Sequence, residues 1–301
     1  MSVMTTQLTD TIKIKIERLL EINPQPETML PRLILRKRVA KTEPLNYMHD
    51  ASICLIVQGK KRVMSGGKVY DYDKEKFLIT SIDLPVTAQI TEASIDEPYL
   101  GIMYQLDFDK INQLMIDHPG LLNGYEDSST DVISVTPASD VLFSVFDRLL
   151  DLLLEPRDIP FLLPLLESEL YYRLLRSDAG VSLRTLAQSG NKRHQIATAV
   201  EWLKNNYTES IKVENLAEMV GMSISSFHHH FRLFTAMTPL QYQKWLRLHE
   251  ARRQLFSLAT DVSTVGFKVG YESASQFSRE YKRLFDITPS DDIKQLRAQS
   301  Q

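Results

Sequence analysis

Val262 to Phe285 reads V-S-T-V-G-F-K-V-G-Y-E-S-A-S-Q-F-S-R-E-Y-K-R-L-F, and Val213 to Phe234 reads V-E-N-L-A-E-M-V-G-M-S-I-S-S-F-H-H-H-F-R-L-F. The two stretches share one physical grammar. In each, a short amphipathic helix carries Leu216 or Val265, then a very small residue, Ala217 or Gly266, and ends at Val220-Gly221 or Val269-Gly270. Two helices crossing steeply after a short turn need a small side chain where their axes approach and a glycine where the first helix ends left-handed. Ser223 and Ser273 are placed to cap the second helices. Spacing of four residues then puts Phe227 with Phe231, and Phe277 with Tyr281, on one inward face. What remains outward lies two, five and six residues beyond each cap: Ser225, His228 and His229 in the first copy, Ser275, Ser278 and Arg279 in the second. Each copy reads as a helix-turn-helix.

The copies are offset by 49 residues in their first helices and 50 in their second, and Thr-Pro recurs at Thr238-Pro239 and Thr288-Pro289. A lone helical hairpin is a weak signal, but an exact recurrence of small residue, glycine, cap and aromatic pair is a strong one. Between the copies, Leu240 to about Leu258 reads as a charged amphipathic helix of roughly 19 residues, or about 28 Å at about 1.5 Å per residue. Successive major-groove faces on one side of a duplex lie about 34 Å apart, so one chain can present two reading helices to adjacent turns. Arg232, Lys244, Arg247, Lys282 and Arg283 are candidate phosphate anchors. The exposed first-turn side chains are candidates for reading base edges, Arg279 foremost because a guanidinium pairs bidentately with guanine. A duplicated helical module for protein interaction fits the same periodicity, and a surface ion pair with Glu272 or Glu280 is the plain alternative for Arg279.

Charge permits the nucleic-acid reading. The 301 residues carry 35 Lys/Arg and 38 Asp/Glu, a near-neutral total that averages two unlike parts. Residues 190–301 hold 15 basic against 11 acidic residues and five of the seven histidines, which leaves 20 against 27 for residues 1–189. We therefore expect two domains, 1–189 and 190–301, with the boundary in the small and polar stretch 180–192. A single cysteine, Cys54, excludes an internal disulfide scaffold and a cysteine-rich zinc site, and fits a reducing, cytoplasmic setting. No run of 18 apolar residues suggests a membrane span, and the opening residues lack the pattern of a secretion signal.

The amino-terminal part reads differently. Short apolar runs between Leu33 and Asp107 predict strands at 33–40, 51–59, 61–67, 68–73, 76–83, 86–93 and 99–107, with a hairpin signal at Gly66-Gly67. Such spacing favours a sandwich or a small barrel. Residues 9–22 alternate like a strand in their first half and read as helix in their second, with Leu19, Leu20 and Ile22 the residues expected to pack. Residues 109–125 predict a helix and its exit. Residues 137–177 predict two very apolar helices around a Pro156–Pro160 turn, with a stripe broad enough to suit a second subunit as well as the domain's own core.

The L-A-x-x-V-G-M-S-x-S-x-F string from Leu216 to Phe227 and V-G-Y-E-S-A-S-Q-F-S-R-E-Y-K-R from Val269 to Arg283 resemble the AraC/XylS family of bacterial transcription regulators, over about Ile196 to Arg297. The resemblance implies promoter DNA as partner, base-facing positions for Ser225, His228, His229, Ser275, Ser278 and Arg279, and RNA polymerase as a further partner. Gly266 stands where the family usually has alanine. Residues from about Leu33 onward, with A-S-I-C-L-I-V-Q-G-K-K at Ala51 to Lys61 as the clearest part, look like a cupin-like regulatory domain of such proteins. That implies a small-molecule effector and a homodimer. The expected fold class is thus two-domain α+β, a cupin-like β-barrel with packed helices followed by an all-α double helix-turn-helix. The expected function is an effector-responsive activator, with a repressor of the same fold as the alternative.

Cupin barrels can be enzymes, and that reading competes. A metal-binding cupin needs a close His-x-His pair, but the barrel region holds His49 alone, with His118 beyond it. His228, His229 and His230 are consecutive on a helix and point about 100° apart, so they cannot converge on one ion. No metal, cofactor or catalytic activity is expected. Cys54, flanked by Ile53, Leu55 and Ile56, reads as a buried core thiol, with a redox or electrophile sensor as the alternative.

Overall fold

The computed structural model describes residues 3–65, 67–122, 132–178, 180–188, 190–257 and 261–298. The chain divides into two compact units, Met1–Gly190 and Asn191–Gln301.

The first unit opens with a single helix, α1 (Val3–Ile22). Ile12 and Ile16, four residues apart, are fully buried, while Ile22 is 70% exposed, so the buried stripe runs through the half that alternates like a strand. Among the described residues nine strands follow: β1 (Leu33–Arg38), β2 (Leu45–His49), β3 (Ser52–Gln58), β4 (Lys60–Ser65), β5 (Lys68–Tyr72), β6 (Lys76–Thr80), β7 (Leu84–Glu92), β8 (Tyr99–Gln105) and β9 (Ile133–Pro137). Seven match the expected runs. β2 and β9 were not anticipated, being short segments without a long apolar alternation. Of the hairpin signal, Gly67 takes a positive φ of 79° between β4 and β5, and Gly66 lies outside the described residues.

The expectation of a closed, cupin-like barrel does not hold. The strands form two open antiparallel sheets, one of order β1-β8-β3-β6-β9 and one of order β2-β7-β4-β5. Closure would require β1 or β9 to hydrogen-bond to β2 or β5, and none of those ladders exists among the described residues. The cause is local. Only Gly59 separates β3 from β4, and its φ of 86° turns the chain from the first sheet into the second, while an added Cβ would lie 2.5 Å from the Glu92 carbonyl oxygen. A corner this sharp makes two faces that oppose each other instead of one that curls round.

Helices α2 (Phe108–Asp117), α3 (Asp140–Leu154), α4 (Ile159–Leu175) and α5 (Gly180–Gln188) complete this unit. α3 and α4 are the expected apolar pair, with a short 3-10 turn at Pro156–Asp158 between them. Lys15 of α1 ties to Asp147 and Asp151 of α3 at 2.6 Å each. Tyr104 on β8 donates to Glu167 of α4 at 2.6 Å, which anchors the helices to the larger sheet. The stretch read as a polar boundary instead forms α5, because Leu183, Leu186 and Ala187 recur at helical spacing and are buried.

The second unit is all-helical: α6 (Gly190–Asn205), α7 (Val213–Met219), α8 (Ile224–Thr235), α9 (Pro239–Ser257), α10 (Val262–Lys268), α11 (Ala274–Phe285) and α12 (Pro289–Ala298). Its second half packs Leu248, Ala251 and Leu255 of α9 against Val265, Val269, Phe277, Tyr281 and Phe285. Among the described residues, no helix is long and apolar enough to cross a membrane.

Candidate nucleic-acid interface

α7–α8 and α10–α11 are two helix-turn-helix units built by the same local chemistry. Gly221 and Gly270 adopt φ of 66° and 94°, ending α7 and α10. The amide three residues past each helix end reaches back, Met222 N to Ala217 O at 2.9 Å and Tyr271 N to Gly266 O at 3.1 Å. This pattern satisfies carbonyls that a helix terminus would otherwise leave open. Ser223 then caps α8 by accepting from Ser226 N at 3.4 Å, and Ser273 caps α11 by accepting from Gln276 N at 3.4 Å. Even the exits repeat, since Ala236 and Asp286 are left-handed at φ of 56° and 57°.

Beneath each reading helix lies the expected core. Leu216, Ala217, Val220, Phe227 and Phe231 are buried in the first copy, and Val265, Gly266, Val269, Phe277 and Tyr281 in the second. Gly266 sits hard against Phe277: a Cβ there would lie 3.0 Å from the ring, which explains glycine at this crossing. Tyr281 donates to Asp292 of α12 at 2.6 Å, and Arg252 of α9 grips the same carboxylate with Nε at 2.7 Å and Nη2 at 2.9 Å. This three-helix tie sets the pitch of α11 from below. Asp292 carried no local sequence signal, because its partners stand 11 and 40 positions away.

The outward faces are open. Ser225, His228, His229, Ser275 and Arg279 are exposed, and Ser278 is half-buried. The Ser223 and Ser225 hydroxyls lie 3.5 Å apart, and those of Ser273 and Ser275 2.8 Å apart. Among the described residues Arg279 has no ion-pair partner. Glu280, its neighbour, is engaged by Lys244 Nζ at 2.8 Å and by the Tyr271 hydroxyl at 3.0 Å. Arg232, Lys282 and Arg283 are exposed as well. The two remaining basic candidates are used internally. Lys244 holds Glu280, and Arg247 donates from Nε to Tyr207 O at 2.6 Å and from Nη2 to Thr208 O at 3.2 Å and Glu209 O at 2.9 Å, while stacking on Tyr271. α9, with 19 residues, carries the two units on one rod of about 28 Å.

The histidines behave as separate groups. His230 packs on His229 and Phe234, and burial lowers its pKa. His249, on α9, is pressed against Trp245 with ring centroids 4.0 Å apart, and burial, then the Arg252 charge, lowers it to about 4. Among the described residues no group of three or more His, Cys, Asp or Glu side chains is arranged to hold a metal ion. Cys54 is a buried free thiol, and burial raises its pKa.

A chain with a two-sheet, helix-backed amino-terminal unit and a paired helix-turn-helix unit has the build of a transcription regulator. Residues 29–182 match the family model for the AraC-type transcriptional regulator N-terminus, and residues 216–295 match a helix-turn-helix domain. The chain belongs to the AraC-type family of transcriptional regulators.

It is 31% identical over 112 residues to the HTH-type transcriptional activator RhaS of Pectobacterium carotovorum subsp. carotovorum (strain PC1), covering 37% of this chain and 39% of that one. It is 33% identical over 97 residues to RhaS of Yersinia pestis (strain Pestoides F), covering 32% and 36%. These matches therefore span well under half of either relative. Among solved structures, ToxT from Vibrio cholerae O395, bound to (E)-4-(8-methylnaphthalen-1-yl)but-3-enoic acid, aligns with a TM-score of 0.51 at 12% identity over 87% of this chain and 99% of that one. That likeness concerns the fold.

Proposed function

We propose that this protein is an effector-responsive activator that binds promoter DNA with α8 and α11 in successive major grooves. The observation that carries the reading is the repetition of glycine turn, serine cap and solvent-facing outer side on two helices joined by one rod. Ser225, His228, His229, Ser275, Ser278 and Arg279 read bases, and Arg232, Lys282 and Arg283 anchor phosphates. Lys244 and Arg247 contribute mainly by bracing the fold, with phosphate contact as a secondary role. Activation, in preference to repression, is favoured by the names of the RhaS relatives. It implies contact with RNA polymerase in the cytoplasm.

Residues 1–189 form the effector and dimerisation module and residues 190–301 the DNA-binding module in this reading. Self-association is supported by α4, whose Phe161, Leu162 and Leu165 are 78%, 42% and 65% exposed. Genome-wide mapping of bound DNA, followed by binding of the recovered sites in vitro, tests the proposal. Recurrent promoter-proximal sites with salt-dependent affinity are expected; an absence of enriched sites and of salt-dependent binding would favour a protein-interaction scaffold instead.

A further inference from the structure

Between the two sheets of the first unit lies a cavity of about 400 Å³. Its size is that of a small-molecule site. Tyr47, Tyr72 and Tyr99 contribute rings to its wall, and Lys61 reaches into it from β4. Lys61 is enclosed by protein on nearly every side, yet it keeps some accessible surface because it faces this space. Its ammonium donates to the Tyr47 hydroxyl at 3.3 Å and lies 5.9 Å from that ring's centre. Among the described residues no carboxylate pairs with it. Burial pulls its pKa down, but the oxygens of Tyr99 and Tyr47 outweigh that, and the net direction is up.

The hydrogen-bonded groups that run from Lys61 through Tyr47 are neutral. Tyr47 Oη lies 3.3 Å from His49 Nδ1, His49 Nε2 lies 3.2 Å from Ser52 Oγ, and Ser52 Oγ donates to Asp50 O at 2.9 Å. Burial, then the positive charges of Lys61 and Arg36, lowers the His49 pKa to about 3, so His49 adds no charge at neutral pH. The Cys54 thiol, 3.7 Å from His49 Nε2, stays protonated because burial raises its pKa. Two carboxylates border the cavity: Asp50 accepts from Gln105 at 2.7 Å, Glu27 is exposed to solvent, and among the described residues neither pairs with Lys61. Arg36 stands exposed at the cavity's rim. One further group is poorly satisfied: the Tyr72 hydroxyl is buried with no oxygen or nitrogen acceptor, and the Cys54 sulfur, a weak partner, is what it meets. An enclosed cation without a counter-ion and a buried hydroxyl with only a sulfur to bond to are each costly, and they meet in one cavity.

We propose that this cavity binds a small organic acid as its carboxylate, with the Lys61 ammonium as counter-ion, the Tyr72 hydroxyl as donor and the tyrosine rings against its hydrocarbon part. The inference rests on the effector reading above and names the effector's chemical class. An inorganic anion would leave most of a space this large unfilled, which argues for an organic one.

The test uses the full chain, with thermal-shift and calorimetric titration of benzoate, cinnamate and acetate, and with benzamide and inorganic phosphate as controls. Saturable binding of at least one acid is expected, about tenfold or more tighter than its neutral amide or phosphate, since a desolvated charge pair outweighs a neutral hydrogen bond. Lys61→Met should lose that preference by about tenfold while the unliganded protein melts no lower, because an uncompensated charge is exchanged for an apolar chain of similar length. Tyr72→Phe, an isosteric change that removes only the hydroxyl, keeps the test decisive if Lys61→Met does not fold: it should weaken the acid several-fold and leave the unliganded protein as stable or more so. Equal binding of amide and acid, equal binding of phosphate, or no saturable binding by any acid would overturn the proposal. Acid binding by a chain without promoter affinity would sink the regulatory reading and leave this one standing.

Discussion

Replacing Asp292 by alanine should destabilise the helix-turn-helix unit by about 3 kcal/mol. The carboxylate is 4% exposed and receives Arg252 through two bonds and the Tyr281 hydroxyl through a third. Removing one partner of a buried ion pair costs about 3–5 kcal/mol because the other charge stays desolvated. Arg252 is 23% exposed, so water relieves part of that loss, and we take the lower end. Tyr281→Phe removes one donor and leaves the ion pair whole, so about 1 to 1.5 kcal/mol is expected. The two changes share a partner and should therefore be less than additive, with a coupling of about 1 kcal/mol. Trp202 and Trp245 are the chain's two tryptophans and both lie in the second unit, so urea unfolding followed by tryptophan fluorescence reports that unit by itself. With a slope of about 2 kcal/mol per molar, Asp292→Ala should lower the midpoint by about 1.5 M. A shift below about 0.3 M, or one no larger than that of Tyr281→Phe, would refute the claim that this carboxylate is the keystone beneath α11.

Three other outcomes follow from the same geometry. Arg279→Ala should cost about 1–3 kcal/mol on a cognate duplex and little on a scrambled one, by fluorescence anisotropy at fixed salt; equal losses on both would rule out base reading. Gly266→Ala should be within about 1 kcal/mol of neutral, because gained helix propensity offsets the contact with Phe277, whereas Gly266→Val should cost about 1–3 kcal/mol by overpacking. His249 is held to about 4 in the folded state, below its ordinary 6.5, so its contribution is present above pH 6.5 and is lost as pH falls toward 4. At about 1.4 kcal/mol per pH unit this amounts to about 2 kcal/mol by pH 5; His249→Phe should flatten that part of the urea-midpoint profile, and an unchanged slope would count against it.

The helix-turn-helix pair was legible because its determinants are local and occur twice. Small residue, glycine, cap and aromatic pair all fall within about 20 positions, and the second copy checks the first. The sheets were legible only as strands. Which edges pair is decided by contacts far apart in sequence, and by Gly59, a single glycine in a strand-like run that gave no sign of being the corner between sheets. β2 and β9 are short edge strands whose partners, β7 and β6, supply most of the reason they form. Basic residues were the least legible of the candidate site. Arg247 and Lys244 are as positive as Lys282 and Arg283, and only the fold shows that the carbonyls after α6 and the Glu280 carboxylate already engage them. The cavity around Lys61 draws on side chains from six strands and had no sequence pattern to announce it.

The turn at Gly59 also constrains how that cavity can change. Because one residue joins β3 to β4 and two join β2 to β3, the two sheets are stitched together at both ends of that strand and cannot slide past one another there. Any response of the first unit to an occupant has to leave that seam in place, and α4, tied to the larger sheet through Tyr104 and Glu167, keeps its footing on that sheet.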